Sequence, residues 1–123
     1  MVEQITDMPD GTLGFRISGE LTVEETKQLM DPIYAVVKDD GDLRMLFLIE
    51  GELKVKDPKV LWEDLKADYE LDVKHRKNVK RTALVTDIEW LTRWIGLGGW
   101  LAPGEAKLFD PTALEDAKAW AAG

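Results

Sequence analysis

Hydrophobic and polar positions along this chain alternate between a strand-like and a helix-like period. Val2 to Met8 and Thr12 to Ser18 read as two strands, and Pro9-Asp10-Gly11 between them is turn chemistry that predicts a hairpin. Arg44 to Glu50 is almost continuously apolar, as expected of a strand buried on both faces. Thr82 to Thr86 is a shorter run of the same kind. Glu105 to Phe109 alternates like an edge or half-buried strand.

Helical periods separate and follow these strands, each with a start signal. Thr22 and Glu25 form a capping box ahead of Thr26 to Val37. Asp57-Pro58 opens a second helix through Leu71, with proline at the first helical position. Thr86 and Glu89 form a further box ahead of a tryptophan-rich helix. Asp110-Pro111, or Thr112 with Glu115, starts the last helix through Trp120. The order is ββαβαβαβα. It predicts a single α/β domain over residues 1–123: a small mixed, mostly parallel sheet of about five strands that opens on a hairpin and is covered by four helices.

The stretch from Glu89 to Pro103 carries the most unusual pattern. Trp90, Leu91, Trp94, Ile95, Leu97 and Leu101 fill an arc of about 160° at 100° per residue, and Trp100 lies in the same stretch. A helix that only packs on a core needs a stripe little wider than about 100°. The excess points to an apolar ligand, a membrane surface or a partner protein. Gly96, Gly98 and Gly99 crowd the same segment. They fit either a left-handed helix cap followed by a turn or a hinge that lets the segment swing. Trp62, with Leu61 and Leu65, and Trp120, with Ala113, Leu114 and Ala117, sit at helical spacing and are expected in the core.

Charge changes the picture in one region. The chain of 123 residues carries a net charge of −8, against a nucleic-acid binder, which needs a basic face. Lys54 to Arg81 nevertheless holds nine basic and six acidic residues. Lys74, Arg76, Lys77, Lys80 and Arg81 form its densest part. They read either as a solvated helix end or as a contact for anionic headgroups or an acidic partner. The N-terminal residues lack the pattern of a secretion signal, and no apolar run approaches the length of a membrane span. The expected location is the cytoplasm, with peripheral contact at the inner membrane surface as an extension of that reading.

Catalytic chemistry is sparse. There is no cysteine, one histidine (His75, between a lysine and an arginine) and one serine (Ser18), too little for a nucleophilic triad or a metal ligand set. Asp39, Asp40 and Asp42 around Gly41 lack the regular ligand spacing of a calcium loop and read as a turn after a helix. Gly96, Gly98 and Gly99 do not form a phosphate loop, since no Lys-Ser or Lys-Thr pair follows them. Neither an enzyme nor a cofactor is expected. Glu50 and Glu52 at the predicted end of the central strand, and Asp87 after the next, are candidates for a pocket mouth, because ligands of parallel sheets bind outside the carboxyl ends of the strands. The alternative is a helix-cap role for Asp87 and solvent exposure for the glutamates.

TALVTDIEWL (82–91), WLAPGEAKLF (100–109) and EDAKAW (115–120) together resemble the bacterial SpoIIAA-like family. That family looks like a branch of the STAS fold, related in shape to CRAL-TRIO lipid-binding domains. The resemblance implies a small mixed sheet with four helices, binding of an apolar or anionic ligand, and reversible membrane or partner contact through a mobile helix. The chain departs from the classical STAS phospho-switch: Glu50 to Pro58, after the central strand, contains no serine or threonine. The resulting expectation is a non-catalytic module that binds an apolar or amphipathic, lipid-like molecule under the tryptophan segment. The alternative is a protein-interaction or homodimerisation module that uses the same apolar helix.

Overall fold

The computed structural model describes residues 1–55, 78–89 and 104–123. Strand β1 is Val2–Ile5, β2 is Leu13–Leu21, β3 is Leu43–Val55, β4 is Val79–Val85 and β5 is Glu105–Phe109. Helix α1, Val23–Val37, lies between β2 and β3. A 3-10 turn, Pro111–Ala113, leads into helix α2, Leu114–Ala122. The expected helices at 57–71 and within 90–103 fall outside the described residues, which hold two α-helices.

The strands form one mixed sheet in the order β1-β2-β3-β4-β5. β1 runs antiparallel to β2, and the other three pairings are parallel. The antiparallel start follows from the short turn. Thr12 N–H donates to the Pro9 carbonyl at 3.1 Å, and Gly11 takes the positive φ (79°) that the turn needs. β1 is shorter than the expected Val2 to Met8. Its ladder closes at Ile5↔Gly14, and Met8 instead folds over Gly14, against whose missing side chain it packs.

α1 begins where the capping box predicts. The Thr22 hydroxyl accepts from Glu25 N–H at 3.1 Å. The Glu25 carboxylate turns to the chain's N-terminal ammonium at 2.7 Å, so only the threonine half of the box caps the helix. The helix ends in a left-handed turn at Asp40 (φ 59°), with Gly41 N–H donating to the Val36 carbonyl at 3.0 Å. This aspartate cluster thus builds a helix terminus. The buried Asn78 amide donates to Asp40 Oδ1 at 3.0 Å and to the Gly41 carbonyl at 3.1 Å, tying that turn to the start of β4.

β3 explains the near-continuous apolar run. Leu46 and Leu48 face Ala83, Val85 and the α2 alanines Ala117 and Ala121. Leu43, Met45 and Ile49 join Phe15, Ile17, Ile33 and Val37 on the α1 side. Phe15 and Phe47 are register partners whose rings stack at 5.9 Å. Burying a leucine such as Leu46 completely stabilises the fold by about 2–3 kcal/mol.

The strand β3 does not stop at Glu50 as its apolar run implies. Its pairing with β2 steps from Ser18↔Glu50 to Gly19↔Leu53, and the ladder continues to Leu21↔Val55. Gly51 and Glu52 are the extra residues of this bulge, and Gly51 supplies a positive φ of 65°. β2 is correspondingly longer than Thr12 to Ser18. β4 starts earlier than expected, at Val79, and ends one residue before Thr86.

Candidate functional site

The carboxyl ends of parallel strands are the natural binding edge of such a sheet. β4 leaves β3 after the pair Leu48↔Val85, and Glu50 and Asp87 each lie two residues beyond it. Glu50 sits beside the β3 bulge, not at the strand's end, and holds the Arg16 guanidinium at 2.7 Å. Glu52 is exposed and sits 3.9 Å from the Lys54 ammonium. Asp87 is exposed after β4. The level of Glu50 and Asp87 along the sheet fits a rim, whereas the Arg16 pair commits Glu50 to β2. Ser18 is the cross-strand partner of Glu50 and precedes the bulge, away from any position after β3.

The chain leaving β4 is fixed by short-range bonds. Thr86, buried, donates its N–H to the Phe109 carbonyl at 3.1 Å, and its hydroxyl accepts from Ile88 N–H at 3.1 Å. A threonine hydroxyl that accepts from the second residue on closes a local turn. The helix that Thr86 and Glu89 are expected to start falls outside the described residues. Ile88 packs on the buried cluster of Ile17, Ile49 and Leu84, on the α1 side of the sheet. Leu108 is the register partner of Leu84, yet 40% of it is exposed. A buried leucine, a half-buried isoleucine and an exposed leucine therefore form an apolar margin at the carboxyl ends of β4 and β5, where the segment 90–103 begins. That segment ends at the opposite edge, before Gly104 at the amino end of β5. Trp90, Leu91, Trp94, Ile95, Leu97, Trp100 and Leu101, with Gly96, Gly98 and Gly99, lie outside the described residues.

The basic candidates divide. Lys74, Arg76 and Lys77 lie outside the described residues. Lys80 is exposed, 3.8 Å from Asp42. Arg81 is engaged within the fold. Its Nη1 donates to the Trp120 carbonyl at 2.7 Å, its Nε lies 3.2 Å from Glu105, and its guanidinium sits 5.0 Å over the Trp120 ring. Arg81 thus satisfies a carbonyl at the α2 C-terminus, where a cation also suits the helix dipole. Trp120, expected in the core, is half-buried at its margin, where it packs on the cluster of Ala117 and Ala121 with its ring 5.8 Å from that of Phe109. At the amino ends of β3, β4 and β5, Arg44, Lys80, Arg81 and Glu105 line an open cleft of about 540 Å³. Arg44 and Asn78 escape sequence reading because their neighbours are distant in the chain.

Electrostatics elsewhere serve the scaffold. Lys118 is buried on α2, and its ammonium lies 3.0 Å from Asp7 and 3.6 Å from Glu115. The Asp7 hydrogen bond raises the lysine's pKa against the opposing effect of burial, and the same bond lowers that of Asp7. Asp110 accepts from the Thr112 N–H at 3.0 Å and from its hydroxyl at 2.8 Å, which lowers the Asp110 pKa and caps the turn into α2. Of the two starts expected for the last helix, Asp110-Pro111 opens the 3-10 turn, and α2 itself follows from Leu114 with no side-chain cap. Among the described residues no group of three histidine, cysteine or acidic side chains is placed to hold a metal ion, and no helix is long and apolar enough to cross a membrane.

No curated protein and no solved structure matches this chain. The model of the SpoIIAA-like family matches residues 12–122, from the start of β2 to the end of α2. That match takes in the parallel strands, both described helices and the apolar margin, and the chain belongs to the SpoIIAA-like family.

Proposed function

We propose that this chain is a non-catalytic SpoIIAA-like module that binds an apolar or amphipathic, lipid-like molecule at the carboxyl ends of β4 and β5. The observation that carries this reading is the margin formed by Leu84, Ile88 and the 40%-exposed Leu108. Ile88 of this margin stands two residues before Trp90, at the start of the segment that also holds Trp94 and Trp100. Each tryptophan offers about 150–250 Å² for burial against a ligand, or up to several kcal/mol of apolar contact. A segment of this composition also suits reversible contact with a membrane interface, where the indole N–H stays wet. Lys80, with Lys74, Arg76 and Lys77, supplies cations for anionic headgroups. Arg81 contributes less, since its guanidinium already serves Trp120 and Glu105.

Native mass spectrometry of freshly purified protein, before and after organic extraction, tests the binding. The expected result is a discrete mass excess that extraction removes and that added long-chain fatty acid restores. Trp94→Ala should reduce the uptake several-fold while the fold persists by circular dichroism. A clean mass that takes up no fatty acid or phospholipid would defeat the ligand reading. Flotation with vesicles containing anionic lipid tests the membrane half, and the absence of flotation on every mixture would remove it.

A further inference from the structure

We propose that the outer edge of β5 pairs antiparallel with the same edge of a second copy, joining two sheets into one across a twofold axis at Ala106. Among the described residues β5 ends the strand order, and four of its five residues are exposed. Thr86 N–H donates to the Phe109 carbonyl, which therefore faces β4. Alternation along the strand then turns the backbone groups of Glu105 and Lys107 toward β4 as well. The N–H and C=O of Ala106 and Leu108 are left pointing away from the sheet. Such an open row of donors and acceptors is a template for another strand.

The side chains select one register. With Ala106 opposite its own copy, the two alanines exchange a pair of backbone hydrogen bonds. Glu105 of each chain then stands opposite Lys107 of the other, in the non-hydrogen-bonded position where side chains come closest. Symmetry makes this contact twice. The neighbouring register, Ala106 opposite Leu108, places Lys107 against Lys107 and Glu105 against Phe109. Like charges directly opposite are unfavourable. A lysine on an edge strand ordinarily discourages pairing. Here it discourages every register but the one that meets Glu105. Glu105 stays available for this role, since 68% of its side chain is exposed beside Arg81. Lys107 lies 5.1 Å over the Phe109 ring, on the same face of the sheet as Glu105. Leu108 comes opposite Gly104 of the second copy, where no side chain obstructs it.

Sedimentation velocity of the full chain over a concentration series tests this directly. The expected result is a monomer–dimer equilibrium in the wild type. Lys107→Glu alone should raise the dissociation constant about tenfold or more, and so should Glu105→Lys alone. An equimolar mixture of the two variants brings an all-acidic edge against an all-basic one and should recover the dimer. Ala106→Pro removes the outward N–H at the twofold axis while leaving the β4 ladder intact, and should abolish association. A wild type that stays monomeric throughout, or a dimer that ignores both Lys107→Glu and Ala106→Pro, overturns the proposal. Failure of the mixture to associate does so even where a single variant folds poorly.

Discussion

The ammonium of Lys118 on α2 lies 3.0 Å from the carboxylate of Asp7, which belongs to the segment between β1 and β2. The lysine is only 7% exposed. The pair ties the last helix to the first hairpin across 111 residues of chain, over a cluster that includes Ile5, Met8 and Leu114. A cation at this depth is tolerated because Asp7 and Glu115 both face it.

Asp7→Asn should lower the melting temperature by a few degrees at neutral pH, because it leaves Lys118 with Glu115 alone. The Asp7 pKa is held below its ordinary 3.8. Its contribution is therefore present above pH 3.8 and is lost as pH falls through the lower folded value. The Lys118 pKa is raised above 10.5, so its share is present below pH 10.5 and lost as pH rises past the folded value. Melting curves of wild type and Asp7→Asn should converge below about pH 3.8 and stay apart through the neutral range. A constant difference down to pH 2 would remove the pair from the account.

Gly104→Ala should be far more damaging than Gly51→Ala, although both glycines have positive φ, 73° and 65°. A Cβ on Gly104 would collide with the Val79 carbonyl oxygen and lie 2.9 Å from that of Lys80, whereas one on Gly51 meets nothing within 4 Å. Left-handed strain alone costs about 1–2 kcal/mol, the amount expected for Gly51→Ala. Backbone collision adds to it at Gly104, for a total above about 3 kcal/mol. Urea unfolding of the two variants checks the ranking, and equal losses would contradict it.

Arg81→Lys should destabilise the domain by about 1–2 kcal/mol. Most of this comes from the carbonyl bond to Trp120 and the stacking on its ring. The exposed Glu105 pair adds little. The urea midpoint should fall with an unchanged slope. A midpoint equal to wild type would show that any cation suffices there.

Leu46→Ala should cost about 3–4 kcal/mol, since Leu46 is fully buried in the cluster closed by Ala117 and Ala121. Leu108→Ala, at a position 40% exposed, should cost the monomer under about 1 kcal/mol. Thermal unfolding at low protein concentration separates the two, and a large loss at Leu108 would mean that it is covered.

Legibility in the sequence followed the range of each cause. β5 runs from Glu105 to Phe109 as its alternation indicates, and Thr22 caps the helix it announces, whereas Asp110 caps only the 3-10 turn ahead of α2. The end of β3 was misplaced because the apolar run stops at Glu50. A bulge at Gly51 instead carries the ladder on to Val55, with polar side chains facing solvent. Pro32 lies inside α1, where it removes one helical hydrogen bond. The helix continues through it, with Ile33 and Val37 buried against the sheet. Of the candidate site, Asp87 follows the end of β4 as its run indicates, whereas Glu50, expected at a strand end, lies beside the bulge inside β3. The partner of Glu50 was not legible, because Arg16 belongs to another strand.

The amino-acid order by itself determined what acts over a few residues: the two periods, the hairpin turn, the caps and the α/β class, together with family membership. These follow from backbone preference and local hydrogen bonding, which neighbouring residues set. Only the tertiary structure decided which charges meet. Lys118 finds Asp7, Arg81 finds the end of α2, and Asn78 pins the turn after α1. It also decided that Leu108 stays exposed beside a buried Leu84. Such pairings depend on strand order and register, which bring together residues whose separation along the chain carries no trace of the contact.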